Sequence, residues 1–160
     1  MTTITKILVP VDFSEQSRAA VNNAIVFAQA FGASVEVAHL WKTKVGEAPG
    51  AEQTLNEFAA SPEGKQMTEY LDSLEHHGVE VRGRLHLVHD EPHVAIVELA
   101  QQEGHDMIVL GTHGRTGVSH LLHPSVAERV VRHATCPVLT IRTPDEKPAM
   151  ATAPVTVAEV

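Results

Sequence analysis

Short apolar runs alternate with amphipathic segments between residues 6 and 142, and this alternation limits the fold more than any other feature. Four of the predicted strands are short and mostly apolar, which is typical of buried strands, whereas the third alternates apolar and polar residues, which indicates a position nearer an edge. The segments between them carry apolar residues three or four positions apart, as helices packed on one side do. This alternation predicts a parallel sheet covered on both faces and joined by right-handed crossovers. The predicted strands are Lys6 to Val11, Ser34 to Leu40, Val79 to Val88, Met107 to Leu110 and Val138 to Ile141.

Capping residues predict where the four main helices begin and end. A serine, or a residue followed by proline, precedes each amphipathic segment, and a glycine follows several of them. Helix starts are predicted at Ser14, Ser61, Glu91 and Ser125, and helix ends at Gly32, Gly78 and Gly104. Residues 41–60 have no clear period and are predicted to form a long connection with a short helix around Thr54 to Ala59.

The composition predicts one globular domain in an ordinary aqueous environment. The chain has 160 residues, which is long enough to bury a core without disulfides. Its composition, 43% apolar and 20% charged, is that of an ordinary globular protein. A formal net charge of −8 argues against nucleic acid or an anionic membrane as a general partner, because both need a basic surface. No apolar run is long enough to span a membrane and no targeting segment is evident, so we expect a cytoplasmic protein. The domain is predicted to cover residues 1–142, with residues 143–160 as a flexible tail.

A glycine-rich stretch links the fourth predicted strand to the last predicted helix. The strand is expected to end at Leu110, and Gly111, Gly114 and Gly117 follow it before Ser125 starts the helix. Backbone N–H groups in such a loop and the positive end of a helix dipole together favour an anion. The stretch lacks the G-x-x-x-x-G-K-[ST] and G-x-G-x-x-G patterns of the two best-known phosphate loops.

This stretch resembles the signature of the universal stress protein family: Gly-x-x-Gly, nine further residues, then Gly-Ser or Gly-Thr. Gly111 and Gly114 match the first pair, residues 115–123 supply the nine, and Ser125 matches the last position. The resemblance covers residues 4–142 and implies an open five-stranded parallel sheet of order 3-2-1-4-5, the adenine nucleotide alpha hydrolase-like fold. ATP-binding members use this signature to hold the triphosphate. The resemblance therefore implies ATP as the ligand, with or without Mg²⁺.

The resemblance also implies roles for residues near the nucleotide. Asp12 would meet ribose hydroxyls or a phosphate-bound cation, although a carboxylate there could equally cap the following helix. Val11 and Leu40 would flank the adenine, or else simply complete the core at two strand ends. Arg115 would clamp a phosphate and His113 would form a polar wall, unless both are solvated loop residues. The full predicted binding set is Pro10, Val11, Asp12, Leu40, Gly111, His113, Gly114, Arg115, Ser125 and Val126.

Pro124 stands where the signature has its last glycine. Proline has no N–H for a phosphate oxygen and holds φ at about −65°, whereas glycine has the donor and a free φ. Losing one charge-assisted hydrogen bond costs about 1.5–3 kcal/mol, which is roughly one to two orders of magnitude in affinity. We therefore expect the fold to persist and the affinity for ATP to be weakened.

The last predicted strand, Val138 to Ile141, would lie at an edge of the sheet in the implied order. Proteins usually cover or pair an apolar edge strand, because its free backbone groups promote aggregation. Pairing with the same strand of a second copy gives a closed two-fold dimer. Both this argument and the resemblance imply a homodimer.

No motif in the chain predicts a metal site or rapid catalysis. The eleven histidines do not complete a ligand set, even where His86, His89 and His93 or His120 and His123 stand close together. Three functions remain open. They are an ATP-binding stress module with at most slow hydrolysis, a stress module that acts through protein contacts without nucleotide, and a weak hydrolase or transferase.

Overall fold

A five-stranded parallel sheet forms the centre of the computed structural model, which describes residues 3–42, 57–88, 91–113 and 125–143. The strands are β1 (Lys6–Val11), β2 (Ser34–Lys42), β3 (Val81–Val88), β4 (Met107–His113) and β5 (Val138–Thr143). They pair in the order β3-β2-β1-β4-β5, and every pairing is parallel. The helices are α1 (Glu15–Phe31), α2 (Pro62–Asp72), α3 (Pro92–Gln102) and α4 (Val126–His133).

Alternate residues of each strand feed two hydrophobic cores, one on each face of the sheet. Ile7 and Val9 of β1 are fully buried in the core that α1 and α2 cover. Leu8 of β1 and Ile108 of β4 are fully buried in the other core, which α3 and α4 cover. The predicted fold, an open parallel sheet of order 3-2-1-4-5 with helices on both faces, is confirmed.

The ends of α1 are those that its capping residues predict. Ser14 has extended backbone angles, and its hydroxyl oxygen accepts from the amide of Ser17 at 3.2 Å. Gly32 follows the last turn with a φ of 69°, the left-handed geometry that glycine adopts without strain. Ser61 likewise caps α2, and residues 57–60 are helical, overlapping the short helix predicted around Thr54 to Ala59.

Helix α2 ends at Asp72, so the prediction that it continues to Gly78 was wrong. The hydroxyl of Ser73 donates to the carbonyl of Tyr70 at 2.7 Å, which gives a carbonyl of the last turn a side-chain partner. His77 and Gly78 both have positive φ, at 47° and 80°. Gly78 therefore serves the turn that leads into β3, not the end of the helix.

Strand β4 continues past Leu110, so the prediction that Gly111 and His113 belong to the glycine loop was also wrong. Gly111 pairs with Ile141 and His113 with Thr143, because β5 is longer than its apolar run indicates. β5 reaches one residue past the boundary predicted for the domain. The connection from β4 to α4 begins at residue 114, outside the described residues. Among the helices that the structure describes, every one is too short or too polar to cross a lipid bilayer.

Candidate functional site

A cleft of about 330 Å³ lies at the carboxyl ends of β1, β2 and β4. β1 and β4 are neighbours in the sheet, and the chain leaves them in opposite directions, towards β2 on one side and β5 on the other. Open parallel sheets bind their ligands at this kind of crossover point. The volume is within the range of about 300–1,000 Å³ that small-molecule sites occupy.

Six of the ten residues in the predicted binding set line this cleft, and they come from both sides of the crossover point. They are Pro10, Val11, Asp12, Leu40, Gly111 and Val126. Ser125 stands next to them as the N-cap of α4. His113 ends β4, whereas Gly114, Arg115 and Pro124 lie outside the described residues. Asp12, which follows β1, and Gly111, which lies within β4, thus share one cleft.

The remaining lining residues were not predicted, because most of them come from helix starts. Each helix that follows a parallel strand begins at the edge where that strand ends, so helix N-termini gather around the cleft. Pro92 and Val126 are the first residues of α3 and α4, and Ser14 is the N-cap of α1. The positive ends of three helix dipoles therefore face one space, which favours an anionic ligand. The residues that sequence analysis missed are Ser14, Gln16, Ser17, His39, Pro92, Ile96, Leu110 and Ala127.

The carboxylate of Asp12 supports the cap residue of α1 and does not cap the helix itself. Its Oδ1 accepts from both the amide and the hydroxyl of Ser14, at 3.1 and 2.5 Å. Partial burial raises the pKa of Asp12, but hydrogen bonding from Ser14, from Ser17 and from the backbone together lowers it by more, so the pKa lies below its usual value. Asp12 is therefore a charged acceptor at neutral pH.

Phe13 holds the turn after Asp12 in a strained conformation. Its φ is 63°, in the left-handed region that a bulky residue rarely adopts, which costs on the order of 1–3 kcal/mol. The ring stacks on His39 with centroids 4.6 Å apart and meets Tyr70 edge-on at 5.8 Å. These contacts offset the strain and so fix the direction in which the chain leaves β1 at the cleft.

His39 joins the ends of β1 and β2 on one wall of the cleft. Its Nδ1 lies 3.1 Å from the carbonyl oxygen of Val11. Because a carbonyl oxygen only accepts, Nδ1 carries the proton and donates this hydrogen bond. On the neutral ring Nε2 is then an acceptor. The apolar run of β2 gave no signal for this role, since a histidine in such a strand fits a buried position in the core equally well.

Gly111 lines the cleft where the first turn of α1 crosses β4. A Cβ atom at this position would overlap the backbone carbonyl of Gln16 and lie 2.9 Å from the amide nitrogen of Ser17. Only a glycine lets helix and strand approach this closely. The glycine that the signature singles out thus has a packing role in this chain.

Ser125 and Glu128 satisfy one another's backbone groups at the start of α4. The amide of Ser125 donates to Oε2 of Glu128 at 3.0 Å, and the amide of Glu128 donates to the hydroxyl oxygen of Ser125 at 3.2 Å. This reciprocal arrangement is a capping box. The amide of Ser125 is therefore engaged within the helix, whereas its hydroxyl group accepts there and can still donate its proton to a ligand.

Asp12 is the acidic residue on the described wall of the cleft, and it could place one oxygen on a cation such as Mg²⁺. Within the described ranges, no three His, Cys, Asp or Glu side chains are grouped closely enough to hold a metal ion. His89, His120 and His123 lie outside these ranges.

A family model described as the universal stress protein family matches residues 3–142. The chain belongs to the universal stress protein family. Universal stress protein MJ0531 of Methanocaldococcus jannaschii is 32% identical over 145 residues, and the match covers 89% of this chain and 84% of that protein.

Two solved universal stress proteins share the fold and were determined in complex with nucleotides. One is a universal stress protein in complex with cAMP, with a TM-score of 0.69 at 23% identity over 87% of this chain and 97% of that chain. The other, from Archaeoglobus fulgidus, is in complex with dAMP and has a TM-score of 0.58 at 22% identity over 88% and 98% of the two chains. At these identities the likeness establishes the shared fold.

Proposed function

We propose that this universal stress protein binds an adenine nucleotide, with ATP among its ligands, in the cleft at the ends of β1, β2 and β4. The observation that carries the proposal is the convergence of three helix N-termini and the Asp12 carboxylate on one mostly apolar space. A nucleotide combines a flat apolar base, hydroxyl donors and an anionic phosphate, and the cleft offers a counterpart to each part.

The proposed pose follows from these counterparts. The base packs against the apolar wall that includes Leu40 and Ile96, and Asp12 accepts from the ribose hydroxyls. The phosphate faces the start of α4, where Val126 is 42% exposed although it is apolar. Two relatives of the same fold were solved with cAMP and dAMP, which supports an adenine nucleotide as the ligand class. Mg²⁺, if it accompanies the nucleotide, takes an oxygen of Asp12.

Titration calorimetry with ATP, ADP and AMP tests the proposal on the wild type and on Asp12→Asn. The asparagine keeps an oxygen for Ser14 but loses the charge and one acceptor, so we expect roughly tenfold weaker binding, about 1.4 kcal/mol. Asp72→Asn, at the exposed C-terminal end of α2, is the matched control and should bind as the wild type does. Equal affinity of the wild type and Asp12→Asn for the nucleotide would show that Asp12 does not take part in binding.

A second function has one specific observation in its favour. Pro124 has no N–H, and the amide of Ser125 is already held by Glu128. Both features weaken the binding of a triphosphate. The alternative function is therefore that of a stress module that acts through protein contacts without a nucleotide. A wild type that binds no adenylate at millimolar concentration would support this alternative.

We also propose that the protein is a cytoplasmic homodimer of one domain, residues 1–142, that pairs through β5. Among the described strands only β4 pairs with β5, so β5 lies at an edge of the described sheet. Pairing of this edge with the same edge of a second copy gives a closed dimer with two-fold symmetry. Light scattering at micromolar concentration should give the mass of two chains, and a mass of one chain would contradict the dimer.

A further inference from the structure

We propose that His105 makes one corner of the fold sensitive to acid: when its imidazole takes up a proton, the turn between α3 and β4 loosens from β1. The inference goes beyond nucleotide binding and does not depend on it. It comes from five ionisable side chains that meet towards the amino ends of the strands, at the other end of β1 from the cleft. This corner cluster consists of Lys6, Glu36, Arg84, Glu103 and His105.

Glu36 lies at the centre of the corner cluster. Its side chain is 8% exposed, and its Oε1 lies 2.6 Å from Nε of Arg84. Nε2 of His105 is 3.7 Å from the same oxygen, and Nζ of Lys6 is 3.6 Å from Oε2. A buried carboxylate is stable only with such partners, so this one depends on Arg84 and Lys6.

Glu103 balances the charge of the corner cluster. Its two carboxylate oxygens each lie 3.2 Å from a terminal nitrogen of Arg84, a paired arrangement that fixes the guanidinium. Oε2 of Glu103 also lies 3.8 Å from Nζ of Lys6. Two carboxylates therefore face two cations, and the cluster carries no net charge while His105 is neutral.

His105 is the fifth member of the cluster, and it is neutral at pH 7. Its side chain is fully buried, and neither ring nitrogen makes a hydrogen bond of ordinary geometry with a described residue. Burial lowers the pKa of His105, and the positive charges of Lys6 and Arg84 lower it further, whereas Glu36 and the carbonyl of Leu99 raise it by less. The surroundings of the imidazole therefore suit an uncharged ring.

A proton on His105 would add a third cation where the two carboxylates are already paired. Oε1 of Glu36, which lies near the ring, is held by Arg84. Asp106 is the next carboxylate along the chain, but it is partly exposed to water, which screens its charge, and it accepts from the backbone at the start of β1. The imidazolium would therefore be repelled by the two cations, and the cluster would have to admit water.

His86 of β3 is a second histidine close to these charges. Burial and then the guanidinium of Arg84 lower the pKa of His86, whereas the carboxylates of Glu98, Glu103 and Glu36 raise it by less. This ring is partly exposed, so water can hydrate a proton there without any opening of the fold. The fully buried ring is therefore the one that couples proton uptake to opening.

The turn that carries His105 holds the first residues of β1. The amide of Asp106 donates to the carbonyl of Lys6 at 2.9 Å, and the amides of Thr5 and Lys6 donate to Oδ2 of Asp106 at 2.8 and 3.0 Å. The amide of His105 donates to the carbonyl of Ala100 of α3 at 2.8 Å. Because these bonds lie on either side of the histidine, a shift that admits water to the ring breaks them, and the start of β1 separates from the turn.

Urea unfolding between about pH 7.5 and pH 5 tests the proposal on the wild type and His105→Gln. The pKa of His105 is lowered in the folded state, so its contribution to stability is complete above the unfolded pKa of about 6.5 and is lost as the pH falls below it. Each pH unit in that window can lower the folding constant up to about tenfold through this one group. From about pH 7 to about pH 5.5, the folding constant of the wild type should fall at least about threefold more than that of His105→Gln.

His76→Gln is the matched control, because His76 is exposed in the segment between α2 and β3. It should keep the pH dependence of the wild type. His105→Val, which also removes the titrating group, provides a second reading where glutamine is not tolerated. Equal pH dependence in the wild type and the His105 variants would overturn the proposal.

Amide hydrogen exchange followed by NMR shows where the fold opens. From about pH 7 to about pH 5.5, after correction for intrinsic rates, protection at Thr5, Lys6 and Asp106 should fall at least about threefold more than at Arg18, at the cleft end of α1. The His105 variants should not show this difference. An equal loss at all four amides would overturn the local opening, and a ring of His105 that titrates above about pH 6.5 in the folded wild type would overturn the proposal without any variant.

Discussion

We expect Gly111→Ala to lower the free energy of unfolding by about 2–3 kcal/mol. The added methyl group would overlap the carbonyl of Gln16 and lie 2.9 Å from the amide nitrogen of Ser17. These are backbone atoms in the first turn of α1, so no side-chain rotation can relieve the overlap, and helix and strand must separate. Urea unfolding followed by circular dichroism measures the change as a lower midpoint with an unchanged slope.

Gly83→Ala is the matched control, because Gly83 also lies inside a strand, β3, and also meets close neighbours. A Cβ atom there would lie 2.5 Å from Cδ1 of Leu71 and 3.1 Å from Cε of Met67, the ends of two flexible side chains. Such atoms can rotate away, so the cost should stay below about 1 kcal/mol. If both alanine variants lost equal stability, α1 would not rest on β4 as closely as described.

Gly111→Ala should also weaken ligand binding at the cleft. Gln16 and Ser17 line the cleft together with Gly111, so a shift of the first turn of α1 moves that wall. Ser14, which accepts from Ser17 and donates to Asp12, would move with it. A loss of nucleotide affinity in Gly111→Ala therefore reports the position of α1, not a lost contact with the glycine.

The second large effect is expected at Pro124. Pro124→Gly should raise the affinity for ATP roughly 10- to 100-fold, because glycine restores the N–H donor and the freedom of φ that the family signature has at this position. Titration calorimetry with ATP on both proteins measures the change. The gain should be much smaller for adenosine, which has no phosphate to receive the new hydrogen bond.

Pro62→Gly is the control for the general effect of exchanging proline for glycine. Pro62 opens α2 and is not among the residues that line the cleft, so this variant should lose a few tenths to about 1 kcal/mol of stability without binding ATP more tightly. A Pro124→Gly protein that binds ATP no better than the wild type would show that the missing donor does not limit affinity.

Local patterns predicted the elements and the general position of the cleft. β1 and the N-cap of α1 lie at the predicted residues, because apolar runs and capping side chains act over a few neighbouring positions. The glycine signature indicated the family, and the resemblance to the family implied the strand order. That order places the ends of β1 and β4 side by side, which is why Asp12 and Gly111 were both expected at one cleft.

Predictions failed where a distant part of the chain supplies the deciding contact. Gly111 was expected in a loop, but the length of β5 extends β4 through it. Nothing in the sequence indicated that Glu36 of β2 would be buried, yet it is 6% exposed and pairs with Arg84 of the neighbouring strand at 2.6 Å. The role of His39 depends on the carbonyl of Val11 in the neighbouring strand.

The sequence by itself determined the family, the alternation of strands and helices, and the chemical character of the residues at the strand ends. Those features depend on short-range periodicity and on the choice of Gly, Pro and Ser at single positions. Only the tertiary structure decided which helix starts surround the cleft and which of their amides Asp12, Ser14 and Glu128 already occupy. The physical reason is that hydrogen bonds and charges at the cleft depend on distances between separate elements, and those distances are set by packing on the sheet.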